Sequence, residues 1–184
     1  MKCNPQPWKD YLWDLRTIKV GSGVTTVGDY AFSGCSYVTS VSIASSVTSI
    51  GVEGFSGCLN LENIAIPSSV TSIGKGAFNL CPSLKKISLD NVSSIGSNAF
   101  ESCSELASVT LSSKLRTIPQ GTFDGCYALR EITIPAGVER IGLLYSGSEP
   151  VDKFFFENVS FETFATALAN PDSVLYNKDL NGHN

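Results

Sequence analysis

Histidine is almost missing from this chain of 184 residues: there is one, His183, at the penultimate position. Its scarcity removes the general base from Ser-His-Asp and Cys-His schemes unless the tail folds back onto the rest of the chain. No G-x-S-x-G elbow, P-loop or dinucleotide fingerprint occurs. Charged residues make up only 16%, and the carboxylates are scattered over turns, so no paired-acid site is expected. An enzyme is not expected, and neither is a cofactor. Basic charge is also short: 13 Lys and Arg face 17 Asp and Glu, a net charge of −4. That balance disfavours nucleic acid or an anionic membrane surface as partner, since both attract basic proteins. No apolar run reaches 18 residues, so no membrane-spanning helix is expected. Met1-Lys2-Cys3 leads into Asn-Pro-Gln-Pro-Trp without an apolar segment, so the chain as given shows no signal peptide. It is then either cytosolic or an internal piece of an exported protein.

What the chain does have is an internal repeat. Phe32, Phe55, Phe78, Phe100 and Phe123 step by 23, 23, 22 and 23 residues, and Cys35, Cys58, Cys81, Cys103 and Cys126 keep the same step. The apolar columns through Ile50, Leu61, Ile64 and Ile66 follow suit. The consensus is V-x-x-I-G-x-x-A-F-x-x-C-x-x-L-x-x-V-x-I-P-x-x. Its V-x-I alternation has period two, which predicts a short strand with one buried face. Pro67 and Pro135, lacking an N–H, should end their strands. The column Gly28, Gly51, Gly74, Gly96 and Gly142 asks for positive φ or close backbone approach. Pro119 replaces glycine in the fifth repeat, so that turn should differ locally. The A-F-x-x-C segment reads as a tight turn or one helical turn.

One repeat cannot fold alone. About seven inward side chains at about 1.5–3 kcal/mol each do not offset about 1–2 kcal/mol of backbone ordering per residue. Stacked repeats share a continuous core, so a solenoid is predicted in which each coil touches only its neighbours. The motifs V-T-S-I-G, A-F-x-x-C and L-x-x-V-x-I-P closely resemble the BspA-like leucine-rich repeats, also called Treponema pallidum-type, from about Leu15 to Ile141. The resemblance implies a right-handed leucine-rich-repeat superhelix, mainly β with short turns. It also implies a secreted or surface-exposed protein, in a family where some members adhere to host matrix proteins or other cells. It favours the exported-piece alternative above.

The expected layout is one domain over residues 1–184: a partial N-terminal cap and first strand at 1–23, repeats at 24–142, and a degenerate repeat with a C-terminal cap at 143–184. Trp8, Tyr11, Leu12 and Trp13 are read as hydrophobes covering the open core edge. Phe154 and Phe156 fall 22 residues after Ile132 and Ile134, which predicts another strand of the same sheet. Asn158 or Ser160 then caps a helix with Phe161, Phe164, Ala165 and Leu168 on one face, and Val174–Tyr176 forms a last strand. This ending resembles the family's C-terminal cap, with one capping helix.

Alternation points Ser42, Ala65, Ser88, Thr110 and Thr133 to solvent, with Ser40, Asn63, Lys86, Ser108 and Glu131 beside them. A candidate protein-binding surface is therefore assigned to Ser42, Lys86, Ser88, Thr110, Glu131 and Thr133, against the plain alternative that Ser and Thr simply suit exposed strands. The implied partner is a host matrix or cell-surface protein, and the implied role is adhesion at the cell surface. The competing role is a passive spacer in a larger exported protein. The cysteine column is expected to be buried thiol, although the strand spacing of about 4.7–4.9 Å does not forbid disulfides. No metal-ligand spacing occurs. Cys3 stands apart from the column and is a candidate reactive thiol. Asn177-x-Asp179-x-Asn181-Gly182 is similar to half a calcium loop but lacks its glutamate. Asn91-Val-Ser93 and Asn158-Val-Ser160 are glycosylation sequons.

Overall fold

The computed structural model describes residues 8–142 and the strand Lys153–Phe156. The Cys3 thiol, the capping helix, the strand at 174–176, the Asn158 sequon, the calcium-like tail and His183 all lie outside these residues.

Each coil makes two short strands. In chain order they are β1 (Thr17–Val20) and β2 (Thr26–Val27), β3 (Ser40–Ile43) and β4 (Ser49–Ile50), and β5 (Asn63–Ile64) and β6 (Ser72–Ile73). They continue with β7 (Lys86–Ser88) and β8 (Ser94–Ile95), β9 (Ser108–Thr110) and β10 (Thr117–Ile118), β11 (Glu131–Ile134) and β12 (Arg140–Ile141), and β13 (Lys153–Phe156). Odd strands pair in parallel as β1-β3-β5-β7-β9 and β11-β13; even strands pair as β2-β4-β6-β8 and β10-β12. The register pairs residues one repeat apart: Ile18 with Val41, Ile50 with Ile73, Lys86 with Ser108. Ile132 pairs with Phe154 and Ile134 with Phe156, as the 22-residue spacing predicts.

The turns form a third ladder. The N–H groups of Glu53, Phe55 and Gly57 donate to the carbonyls of Lys75, Ala77 and Asn79 in the next coil, and the coils of Phe32, Phe78 and Phe100 repeat this. Alternate N–H groups can point along the solenoid because two positions per coil are left-handed. One column is Tyr30, Glu53, Gly76, Asn98, Gly121; the other is Gly34, Gly57, Leu80, Ser102, Gly125. Non-glycine residues there carry a steric penalty of about 1–2 kcal/mol. In the glycine column named from the sequence, close approach is the operative demand at every member but Gly28, which has open space around it. A Cβ on Gly74 would stand 2.5 Å from the Gly51 carbonyl carbon, and Gly51, Gly96 and Gly142 are similarly crowded. At Pro119 the even-strand ladder divides between β8 and β10. Gly74 and Gly96 donate their N–H to Ile50 and Ile73 one coil back; proline has no such hydrogen to give. The odd-strand ladder also divides between β9 and β11, and no local residue accounts for that break.

The core is a set of columns. Phe55, Phe78, Phe100 and Phe123 are fully buried and their rings stack at 5.4–5.8 Å between centroids, within 11° of parallel. Phe32 and then Trp8 extend the stack at the N-terminal end. Leu12 also packs on the core. Tyr11 and Trp13, expected to cover it as well, do not: they are 64% and 71% exposed. The five cysteines from Cys35 to Cys126 are free and buried. The thiols of Cys58, Cys81, Cys103 and Cys126 donate to the carbonyls of Phe32, Phe55, Phe78 and Phe100, one coil back, at 3.1–3.5 Å. These are weak bonds, and at Phe32, Phe55 and Phe100 they add a second donor to carbonyls that also accept the N–H of Cys35, Cys58 and Cys103. Corner hydroxyls also reach one coil back: Ser46 donates to the Val24 carbonyl and Ser69 to the Val47 carbonyl.

Candidate interaction surface

The odd-strand sheet turns one side to solvent. Its buried side carries Ile18, Val41, Ile64, Ile87 and Ile132. Its exposed side carries two rows in register, Ser40-Asn63-Lys86-Ser108 and, two residues on, the row through Ser42, Ala65, Ser88 and Thr110, all exposed. Ala65 is the small member of the second row. Around it lies a shallow depression of about 370 Å³, lined by Asn63, Ala65, Lys86, Ser88, Ser108 and Thr110 with the strand residues Ile64 and Ile87.

Of the six residues expected to bind, Lys86, Ser88 and Thr110 meet at this depression. Ser42 sits on β3, beyond Ala65. Glu131 and Thr133 are exposed on β11, paired with Lys153 and Phe155, and do not line the depression. The surface carries hydroxyl donors and acceptors, one ammonium group and a small apolar floor. Such a surface suits an extended backbone or short polar side chains. Lys85, next to Lys86, points to Glu62 at 2.8 Å, and that hydrogen bond and charge raise its pKa. Among the described residues no group of three or more His, Cys, Asp or Glu is placed to hold a metal ion. No helix among them is long and apolar enough to cross a membrane.

A cluster missed from the sequence lies at one corner of the same sheet. Trp13 and Tyr37 meet with ring centroids 6.0 Å apart, tilted by 53°. The Arg16 guanidinium stands 5.0 Å over the Tyr37 ring and donates to the Trp13 carbonyl at 2.9 Å. Trp13 shares one repeat column with Leu59 and Tyr127, in the two-residue turn between the cysteine and leucine columns, which marks that turn but not the pairing with Tyr37 and Arg16. All three are exposed.

A family model described as the BspA type leucine rich repeat region matches residues 25–146, in six copies. The chain belongs to this BspA-type leucine-rich-repeat family. Solved structures with the same fold include a leucine-rich repeat protein from Bacteroides ovatus, 37% identical, with a TM-score of 0.66 over 69% of this chain and 33% of that one. The pneumococcal vaccine antigen PcpA is 24% identical, with a TM-score of 0.64 over 79% of this chain and 41% of that one. The Treponema pallidum leucine rich repeat protein is 28% identical over 76% of this chain and 72% of that one, at a TM-score of 0.49. This BspA-type chain thus spans about a third of the Bacteroides ovatus protein's length. No curated protein matches it.

Proposed function

We propose that this domain is a non-enzymatic protein-binding module acting at the cell surface or outside the cell, where it serves adhesion. The observation that carries the reading is the solvent-facing parallel sheet, with its depression at Lys86, Ser88 and Thr110. Membership of the BspA-type repeats supports it, because solenoids of this kind bind through extended faces. Ser42, Glu131 and Thr133 extend the proposed face along the solenoid on either side. The partner is a matrix or cell-surface protein of a host. A right-handed coil and a capping helix at the C-terminal end complete the proposed architecture.

The test is a screen of the purified domain against arrayed host matrix proteins and glycans, with a Ser88→Glu/Thr110→Glu variant alongside. Capture of a protein by the wild type, lost in the variant, is the expected outcome. No capture across the panel would instead favour a spacer role within a longer protein. Capture of glycans alone would replace protein adhesion with carbohydrate binding.

A further inference from the structure

Charge on the odd-strand face runs against the charge of the chain. On its two outward rows Lys19 and Lys86 stand with one carboxylate, Glu131, and in the flanking turns Arg16, Lys85 and Arg130 stand with Asp14, Glu62 and Glu105, while the whole chain carries −4. Lys85 is held in an ion pair with Glu62. At the β1 end stands the Trp13–Arg16–Tyr37 cluster. Trp, Tyr and Arg are the residue types that dominate binding energy at protein interfaces. Here they are already held: Arg16 by the Trp13 carbonyl and the Tyr37 ring, Trp13 by the tilted Tyr37 ring. A partner meeting a preordered cluster loses less side-chain freedom on binding. Arg16 uses few of its five N–H donors in these contacts and keeps others for a carboxylate.

From β1 to β7 is three strand steps, about 14 Å. The face therefore offers an aromatic–guanidinium anchor at one end, Lys19 beside it, and the depression with Lys86 at the other. A segment crossing these points needs about four or five extended residues, at about 3.3 Å each. We propose that this face binds an extended, acidic polypeptide segment, seated with an apolar side chain on the Trp13–Arg16–Tyr37 cluster and a carboxylate at Lys86. This inference rests on the protein-binding reading above and gives the partner its chemistry. It also explains why Glu at positions 88 and 110 should be disruptive, since both would place negative charge beside Lys86.

The experiment selects displayed random peptides of about 12 residues, long enough to cross the face at about 3.3 Å per residue, on the wild-type domain. Winners are then titrated against Trp13→Ala, Arg16→Gln and Lys86→Gln variants. All three positions are exposed, and unchanged urea midpoints will verify that each variant folds. The expected winners have net negative charge and at least one large apolar residue, weaken with rising salt, and lose about tenfold or more in affinity on the Trp13 variant. Neutral or basic winners, or acidic winners indifferent to all three substitutions, would overturn the inference and leave a protein-binding module standing. No enrichment on the wild type would overturn both.

Discussion

Replacing Phe78 by alanine tests the stacked core where it is most enclosed. Phe78 is fully buried and lies between Phe55 at 5.5 Å and Phe100 at 5.4 Å, with planes 11° and 4° from parallel. A buried Phe→Ala change costs about 3–5 kcal/mol. The two lost ring pairs, each worth about 0.5–1.5 kcal/mol beyond area, put this site in the upper part of that range. Domain stabilities are about 5–15 kcal/mol, so the loss is a large share of the total. With a urea m-value of about 2 kcal/mol/M the midpoint should fall by about 2 M. Because coils contact only their neighbours, the substitution also weakens the link between the two halves of the solenoid, and the transition should broaden. Phe32→Ala is the comparison, since Phe32 is only half-buried at the first full coil. It should cost about half as much. Urea unfolding followed by circular dichroism measures both. Equal shifts for the two variants, or a Phe78→Ala shift under about 0.5 M, would refute the enclosed-stack account.

Gly74→Ala must push the coil away from the Gly51 carbonyl carbon and should cost about 1–3 kcal/mol, while Gly28→Ala, with no atom within 4 Å of its Cβ position, should leave the urea midpoint nearly unchanged. A thiol reagent followed by mass spectrometry should leave Cys35, Cys58, Cys81, Cys103 and Cys126 unlabelled in the native state and reach them only on unfolding, since all are buried. Burial raises the Cys35 pKa from 9.0 to about 12, and a neighbouring thiol with burial raises those of Cys58 and Cys103. In the unfolded chain Cys35, Cys58 and Cys103 therefore ionise near pH 9, while in the folded chain these three keep their protons. The thiol contribution is fully present below pH 9, and stability should fall as pH rises from 9 towards 12. Cys35→Ala should flatten that fall in urea midpoints taken at stepped pH. Ser88→Glu/Thr110→Glu, on exposed sites, should shift stability by no more than about 0.5 kcal/mol.

The repeat made most of the fold legible before any coordinates. A column of like residues at a 22–23-residue step places the repeating Ile, Val and Leu positions on the inner side at once, and it carried the register through to Phe154 and Phe156. Two things were hidden. The left-handed columns at Tyr30 and at Leu80 are occupied by mixed residues, because each φ is imposed by the ladder to the next coil rather than by local preference. The Trp13–Arg16–Tyr37 cluster was hidden by position: large aromatics near a solenoid end suit an exposed core, and only the geometry shows Trp8 and Leu12 doing that work while Trp13 faces water. For the binding face, alternation showed which residues face out. It did not show that Ala65 opens a depression joining Lys86, Ser88 and Thr110 while Glu131 and Thr133 lie apart from it.

Whether the odd-strand face is the one that binds is decided by comparing two double variants against the same captured protein. One is Ser88→Glu/Thr110→Glu on the odd-strand face; the other is Ser94→Glu/Thr117→Glu, exposed on the even-strand side of the same coils. Added charge and folding burden are matched, so only location differs. Binding through the odd-strand face gives an affinity loss of about tenfold or more for the first and wild-type affinity for the second. Equal losses, or a loss confined to the even-strand variant, would contradict it.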